Sequence, residues 1–179
     1  MTIFVKNKHT LQVDEFQLKC CIGKKGTTLN KIEGDKKTPR GIFGIENLYF
    51  RKDRVKKPIT SLKCIEIKKN MGWCDDIKFK KQYNKLIKVN KRSRHEKLKR
   101  KDHKYDLLIP IKYNFLKPKL GRGSAIFFHI WKNKHKGTAG CTAADKTDVL
   151  SLLNWIKKDA HPLLIQLPKD YLETVLKDL

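Results

Sequence analysis

The sequence predicts a single mainly-β domain with peripheral α-helices, and three observations predict it. Short apolar runs with partial alternation fill the first third, turns bearing Gly and Pro separate them, and helical spacing is confined to the end. The 179 residues suffice for one domain with one sizeable core. No internal repeat, low-complexity segment or interdomain linker interrupts them.

Ile3-Phe4-Val5, Leu11-Gln12-Val13 and residues 16–20 are the first strand candidates. Residues 23–26 and 34–41 form turns; in the second, Pro39 fixes φ and glycines free the backbone. Residues 42–45 and the alternating Cys64-Ile65-Glu66-Ile67 are further strands. The basic segment 91–104, KRSRHEKLKRKDHK, reads as a solvated face or a short exposed helix. Residues 105–109 form another strand, and a Pro/Gly connection over 117–123 leads into the apolar run SAIFFHI, 124–130. Near the C-terminus the period changes. Asp145 can cap a helix with Asp148 near its positive end, and Val149, Leu152, Leu153 and Ile156 fall on one face. Asp170 and Glu173 form a capping box for a last helix from Tyr171. The domain therefore spans 1–168, with a helical extension over 169–179 docked on it.

Hydrophobic residues make up 39% and charged residues 34%, a globular rather than a disordered composition. The net charge of +24 points to an anionic partner: nucleic acid, anionic lipid or an acidic polymer such as a cell-wall glycan. No nucleic-acid recognition motif accompanies that charge, so nucleic acid is disfavoured. No apolar stretch reaches membrane-span length, and the first residues lack the apolar region of a signal peptide. Cys20, Cys21, Cys64, Cys74 and Cys141 are odd in number and form no CxxC pair, which argues against a disulfide framework or a zinc site. Cys20, Cys21 and Cys64 read as buried packing residues.

The chemistry concentrates in residues 129–141, HIWKNKHKGTAGC. An imidazole near a thiol is the usual way to generate the attacking thiolate near neutral pH. The small residues before Cys141 let backbone N–H groups approach a substrate carbonyl as oxyanion donors. The residue types alone leave a second reading open, a buried structural Cys and His.

Three blocks settle on one likeness. They are Lys31-Ile-Glu33-Gly34-Asp35 with Thr38-Pro39-Arg-Gly41, then Gly72-Trp73-Cys74-Asp75-Asp76 with Tyr83-Asn84, His95-Glu96 and Asp102-His103-Lys-Tyr105-Asp106, then residues 121–129 with Thr138-Ala-Gly140-Cys141. In this order they resemble the YkuD-type L,D-transpeptidase catalytic domain, in the branch labelled ErfK/YbiS/YcfS/YnhG. The resemblance implies a YkuD-like β-sandwich with peripheral helices. It implies Cys141 as nucleophile, His129 as base and then acid, and the Ile130 carbonyl as the group orienting the imidazole. Backbone N–H groups of Ala139, Gly140 and Cys141 would bind the oxyanion. Thr138 is a candidate substrate contact, as is Arg122, whose guanidinium suits a carboxylate. Trp73 and Asp75 could line the cleft, and the simpler reading packs Trp73 in the core with Asp75 and Asp76 capping turns or pairing with Lys. The implied reaction joins peptidoglycan stem peptides through a thioester on Cys141, releasing D-alanine; water in place of the amine would make a carboxypeptidase. Carbapenems would acylate the same thiol. A monomer without metal or cofactor, working in the periplasm or cell wall, completes the expectation. The chain departs from the commonest pattern at Ala139 and Ala143, where relatives carry His and Arg, and His135 is the nearby substitute. A different class remains beside it: a non-catalytic basic protein that binds anionic glycan or nucleic acid.

Overall fold

A computed structural model describes residues 1–89, 93–156 and 162–166. In chain order the strands are β1 (Thr2–Val5), β2 (Thr10–Val13), β3 (Phe16–Cys21), β4 (Thr27–Thr28), β5 (Thr38–Pro39), β6 (Gly41–Gly44), β7 (Asn47–Phe50) and β8 (Lys63–Glu66). They continue with β9 (Met71–Cys74), β10 (Leu86–Lys88), β11 (His95–Lys97), β12 (Leu107–Pro110), β13 (Phe127–Ile130) and β14 (Thr142–Ala144). Helix α1 (Lys146–Trp155) and β15 (Leu163–Gln166) complete the described elements.

One mixed sheet of ten strands runs in the order β6-β15-β1-β2-β3-β14-β13-β12-β7-β8. Its connectivity forbids flatness. Strands β6 and β7 stand first and ninth, so in a flat sheet about 38 Å would separate them at ~4.8 Å per strand. Only Ile45 and Glu46 join them, a reach of about 11 Å. The sheet therefore rolls over on itself, and a bridge between Ile45 and Ile111 fastens the turn-over, with Lys112 N–H donating to the Gly44 carbonyl at 3.0 Å. The rolled halves enclose the main core: Ile3, Val5, Leu11 and Val13 of β1 and β2 join Leu48, Leu107, Ile109 and Phe128 of β7, β12 and β13 in one buried cluster.

Alternation then places the site. Leu107 and Ile109 of β12 and Phe128 and Ile130 of β13 face that core, whereas Leu108 and Phe127 belong to a second cluster on the opposite face. This cluster contains Tyr49, Trp73, Leu98, Tyr105 and Cys141. A small antiparallel sheet, β10-β9-β11, contributes Trp73 to it.

Helix α1 starts where the sequence predicts, with the Asp145 carboxylate accepting from Thr147 N–H at 3.0 Å and Val149, Leu152 and Leu153 buried. Residues 93–104 keep most side chains at least partly exposed but form no helix. Residues 95–97 are strand β11, and Leu98 is fully buried in the second cluster. Tyr105 and Asp106 precede β12 as turn residues, and Cys64 is half-buried rather than buried. The helix expected from Tyr171 lies outside the described residues.

Candidate active site

Parallel pairing of β13 with β14 sets Phe128 opposite Thr142 and His129 opposite Ala143. Cys141, one residue before Thr142, therefore sits beside Phe127 and diagonal to His129 on the same face. The Cys141 sulfur accepts from Phe127 N–H at 3.4 Å, and its S–H donates to the Ala125 carbonyl at 3.4 Å. His129 Nδ1 lies 2.8 Å from the Ile130 carbonyl. A carbonyl only accepts, so Nδ1 carries the proton and Nε2 is left as a lone-pair base.

Both groups are nearly inaccessible, at 8% and 4% exposure, yet both line one cavity of about 390 Å³. A second cavity of about 170 Å³ meets the first at Cys141, Tyr105, Glu96 and Ala139. The Tyr105 ring stands edge-on to the His129 imidazole, with centroids 5.4 Å apart. Its hydroxyl bonds Glu96, and Arg100 lies over its other face at 5.1 Å.

Burial governs the protonation of the pair. It pushes the Cys141 thiol up to about 12, against the weaker opposite pull of Phe127 N–H and of Lys31 and Lys104. It also drives His129 down to about 4, the Ile130 hydrogen bond only partly offsetting it. A neutral thiol therefore faces a neutral imidazole near pH 7. No thiolate–imidazolium pair is preformed.

The turn before Cys141 is held from beneath. Thr38, fully buried, accepts from Gly23 N–H at 2.8 Å and directs its hydroxyl at the Gly140 carbonyl, 2.9 Å away. Thr138 Oγ1 accepts from Gly140 N–H at 3.0 Å and donates to the Cys141 carbonyl at 2.5 Å. Gly140 has φ +141°, and a Cβ there would lie 2.9 Å from the Lys37 carbonyl oxygen. Only glycine suits that position. The other side of the thiol rests on Asn84. Its Oδ1 accepts from Trp73 Nε1 at 2.9 Å and from Ala125 N–H at 3.0 Å, which fixes the peptide whose carbonyl receives the Cys141 S–H. Glu33 closes the smaller cavity, accepting from Tyr83 at 2.6 Å and Ser124 at 2.7 Å.

Of the residues singled out in the sequence, Cys141, His129, Thr138 and Ala139 line the larger cavity, and Asp75, Gly140 and Ala139 line the smaller. Two are corrected. Trp73 is 3% exposed and packs edge-on to Phe127, lining neither cavity, because its indole is taken up by the second core and Asn84. Arg122 is exposed and also lines neither, since the turn between Gly121 and Gly123 carries it outward. Gly140 N–H is occupied by Thr138; the N–H groups of Ala139 and Cys141 donate to no protein acceptor among the described residues. His135 lines a neighbouring cavity rather than that of Cys141. Tyr105, Arg100 and Lys31 were not singled out. Tyr105 reads as an ordinary strand residue, and Arg100 and Lys31 disappear into a chain with 42 basic side chains.

A rolled β-sheet domain that brings a cysteine and a carbonyl-tethered histidine into one cleft has the form of a thiol acyl-transfer domain. The model of the YkuD L,D-transpeptidase catalytic domain matches residues 1–165, and the chain belongs to that family. The family acts on cell-wall peptidoglycan. Comparison with curated proteins returns no match.

Proposed function

We propose that the protein is a cysteine-dependent L,D-transpeptidase acting on peptidoglycan stem peptides in the periplasm or cell wall. The observation that carries this reading is the cavity that the Cys141 thiol and the His129 imidazole both line, with Nδ1 tied to the Ile130 carbonyl so that Nε2 is left as the base. As Cys141 Sγ attacks the donor carbonyl carbon, its proton passes to His129 Nε2. The oxyanion is received by the N–H groups of Ala139 and Cys141. Collapse breaks the C–N bond, and Nε2 returns the proton to the departing D-alanine nitrogen, leaving a thioester on Cys141. An acceptor amine then attacks the thioester and gives a proton to Nε2, which hands it to the leaving sulfur. The products are a new amide crosslink and the original thiol. Burial suits this order of events, since the charged pair exists only while substrate is bound.

The excess positive charge supports a further role in holding the protein to an anionic envelope polymer. The test of the reaction is product analysis by mass spectrometry on a tetrapeptide stem, with and without an acceptor amine. Crosslinked dimer and free D-alanine are expected, both lost in Cys141→Ser. D-Alanine without dimer would make the protein a carboxypeptidase. No carbapenem adduct and no product from folded wild-type protein would leave a non-catalytic binder.

A further inference from the structure

The cationic side chains are not spread evenly around the thiol. Two more cavities adjoin the larger one: the first shares Lys24 and Lys136 with it, and the second shares Trp131. They meet each other at Lys134, His9 and His135, so the three adjoin in a row, the trough, that ends at Cys141. Nine lysine or arginine side chains line this trough against a single carboxylate, Glu96. The whole chain has 42 against 18, so composition alone does not produce that ratio. Of the nine, Arg100 alone makes an ion pair with a carboxylate among the described residues. The other eight are lysines, none of which stands within ion-pair distance of a carboxylate among the described residues.

We infer that the trough binds a linear phosphate-bearing polymer of the cell wall and lays it across the mouth of the Cys141 cavity. This rests on the envelope-polymer reading above and adds where the polymer lies. Lysine ammonium groups are compact point charges that match a flexible row of phosphates, whereas carboxylate recognition favours the planar fork of arginine. Single-stranded nucleic acid needs several aromatic platforms. The trough has Trp131, partly exposed, and Tyr105, which is 7% exposed and stacked inside the site. One partly exposed indole and the small imidazoles of His9 and His135 make a poor platform for stacking a run of bases.

The experiment measures protection of Cys141 from iodoacetamide at low salt, with poly(glycerol phosphate), polyglutamate or a DNA oligonucleotide of equal total charge as the added polymer. Alkylation should slow about ten-fold or more with poly(glycerol phosphate) and recover as salt screens the charge. Lys8 and Lys134 are exposed and line the trough away from the Cys141 cavity. A K8E/K134E variant should therefore lose the protection while keeping the unprotected alkylation rate. Equal protection by polyglutamate would overturn the phosphate assignment, and stronger protection by DNA would make the partner a nucleic acid. If the variant still binds isolated cell walls and is still protected, the trough is not the site, although the envelope-polymer reading survives. If wild-type protein binds no cell walls at any salt, that reading fails as well.

Discussion

At the scale of single residues, the pair His129 and Cys141 is set by burial rather than by charge. Both groups are neutral across the physiological range, so a proton must move during attack. This has a kinetic signature. Carbapenem acylation of Cys141 should be nearly flat between about pH 6 and 9, because neutral Nε2 is fully available throughout. His129→Gln should slow acylation by about 10²–10⁴-fold at neutral pH and make the remaining rate climb roughly ten-fold per pH unit, following the small thiolate fraction. A wild-type rate that itself climbs ten-fold per unit would remove His129 from the role of base. On the β14 side Ala143 stands opposite His129 and offers the imidazole no polar side chain, while on the β12 side its register partner is the apolar Leu108. Orientation then falls to the Ile130 carbonyl and the edge-on ring of Tyr105. Tyr105→Leu keeps an apolar volume but removes the ring and its bond to Glu96. It should lower the acylation rate while leaving the flat pH profile in place, since Nε2 stays neutral.

At the scale of elements, the motif residues hold the site up more than they touch substrate. Strand β5 brings Thr38 under the turn before Cys141, and β9 brings Trp73 against Asn84, which holds Ala125. Thr38→Val keeps the shape but leaves Gly23 N–H and the Gly140 carbonyl without their partner. Each buried group left unpaired costs about 1–3 kcal/mol, so a fall in thermal stability together with slower acylation is expected. Unchanged stability would show that water takes over both bonds. These supports explain how the sequence is read. The early strands, the cap at Asp145 and the run ending on His129 are legible because each carries its own period or local hydrogen bond. Strand β14 is only Thr142–Ala144, too short and too small in side chain to alternate, and its place between β3 and β13 is a long-range pairing. Strand β11 is hidden because His95-Glu96-Lys97 has no apolar residue to alternate, and Leu98 after it is a lone apolar residue in a run of charge. The nucleophile and its histidine are legible as residue types. Trp73 is open to two readings from sequence, because a large aromatic in a motif block reads alike whether it lines a cleft or fills a core; here it fills the core.

At the scale of the whole molecule, the same burial that neutralises the site couples stability to pH. The folded pKa of His129 lies at about 4, below the ordinary 6.5 of the unfolded chain. The unfolded state therefore binds the extra proton between those values, and stability is lost as pH falls through that window. At about 1.4 kcal/mol per pH unit the loss is on the order of 3 kcal/mol, and it should vanish in His129→Gln. Asp102, held down to about 2 by Arg100, stabilises above the ordinary carboxylate range and extends the acid limb further down. Thiols act in the other direction. Burial raises Cys141 and Cys20 to about 12 and Cys21 to about 11, against 9.0 unfolded, so their contribution is complete below pH 9.0 and is lost above it. These three thiols releasing protons together give a slope near 4 kcal/mol per pH unit, steeper than the single-proton acid limb, and Cys64 and Cys74, also raised by burial, add to it. Urea unfolding measured from about pH 4 to 10 should thus show a plateau between roughly 6.5 and 9, a shallow acid side and a sharp alkaline side. Cys20→Ala/Cys21→Ala should cut the alkaline slope by roughly half, leaving the part owed to Cys141, Cys64 and Cys74, and should leave the acid side alone. An alkaline slope unchanged in that variant would mean that the lysines of this +24 chain, losing charge, set the limb instead of the buried thiols.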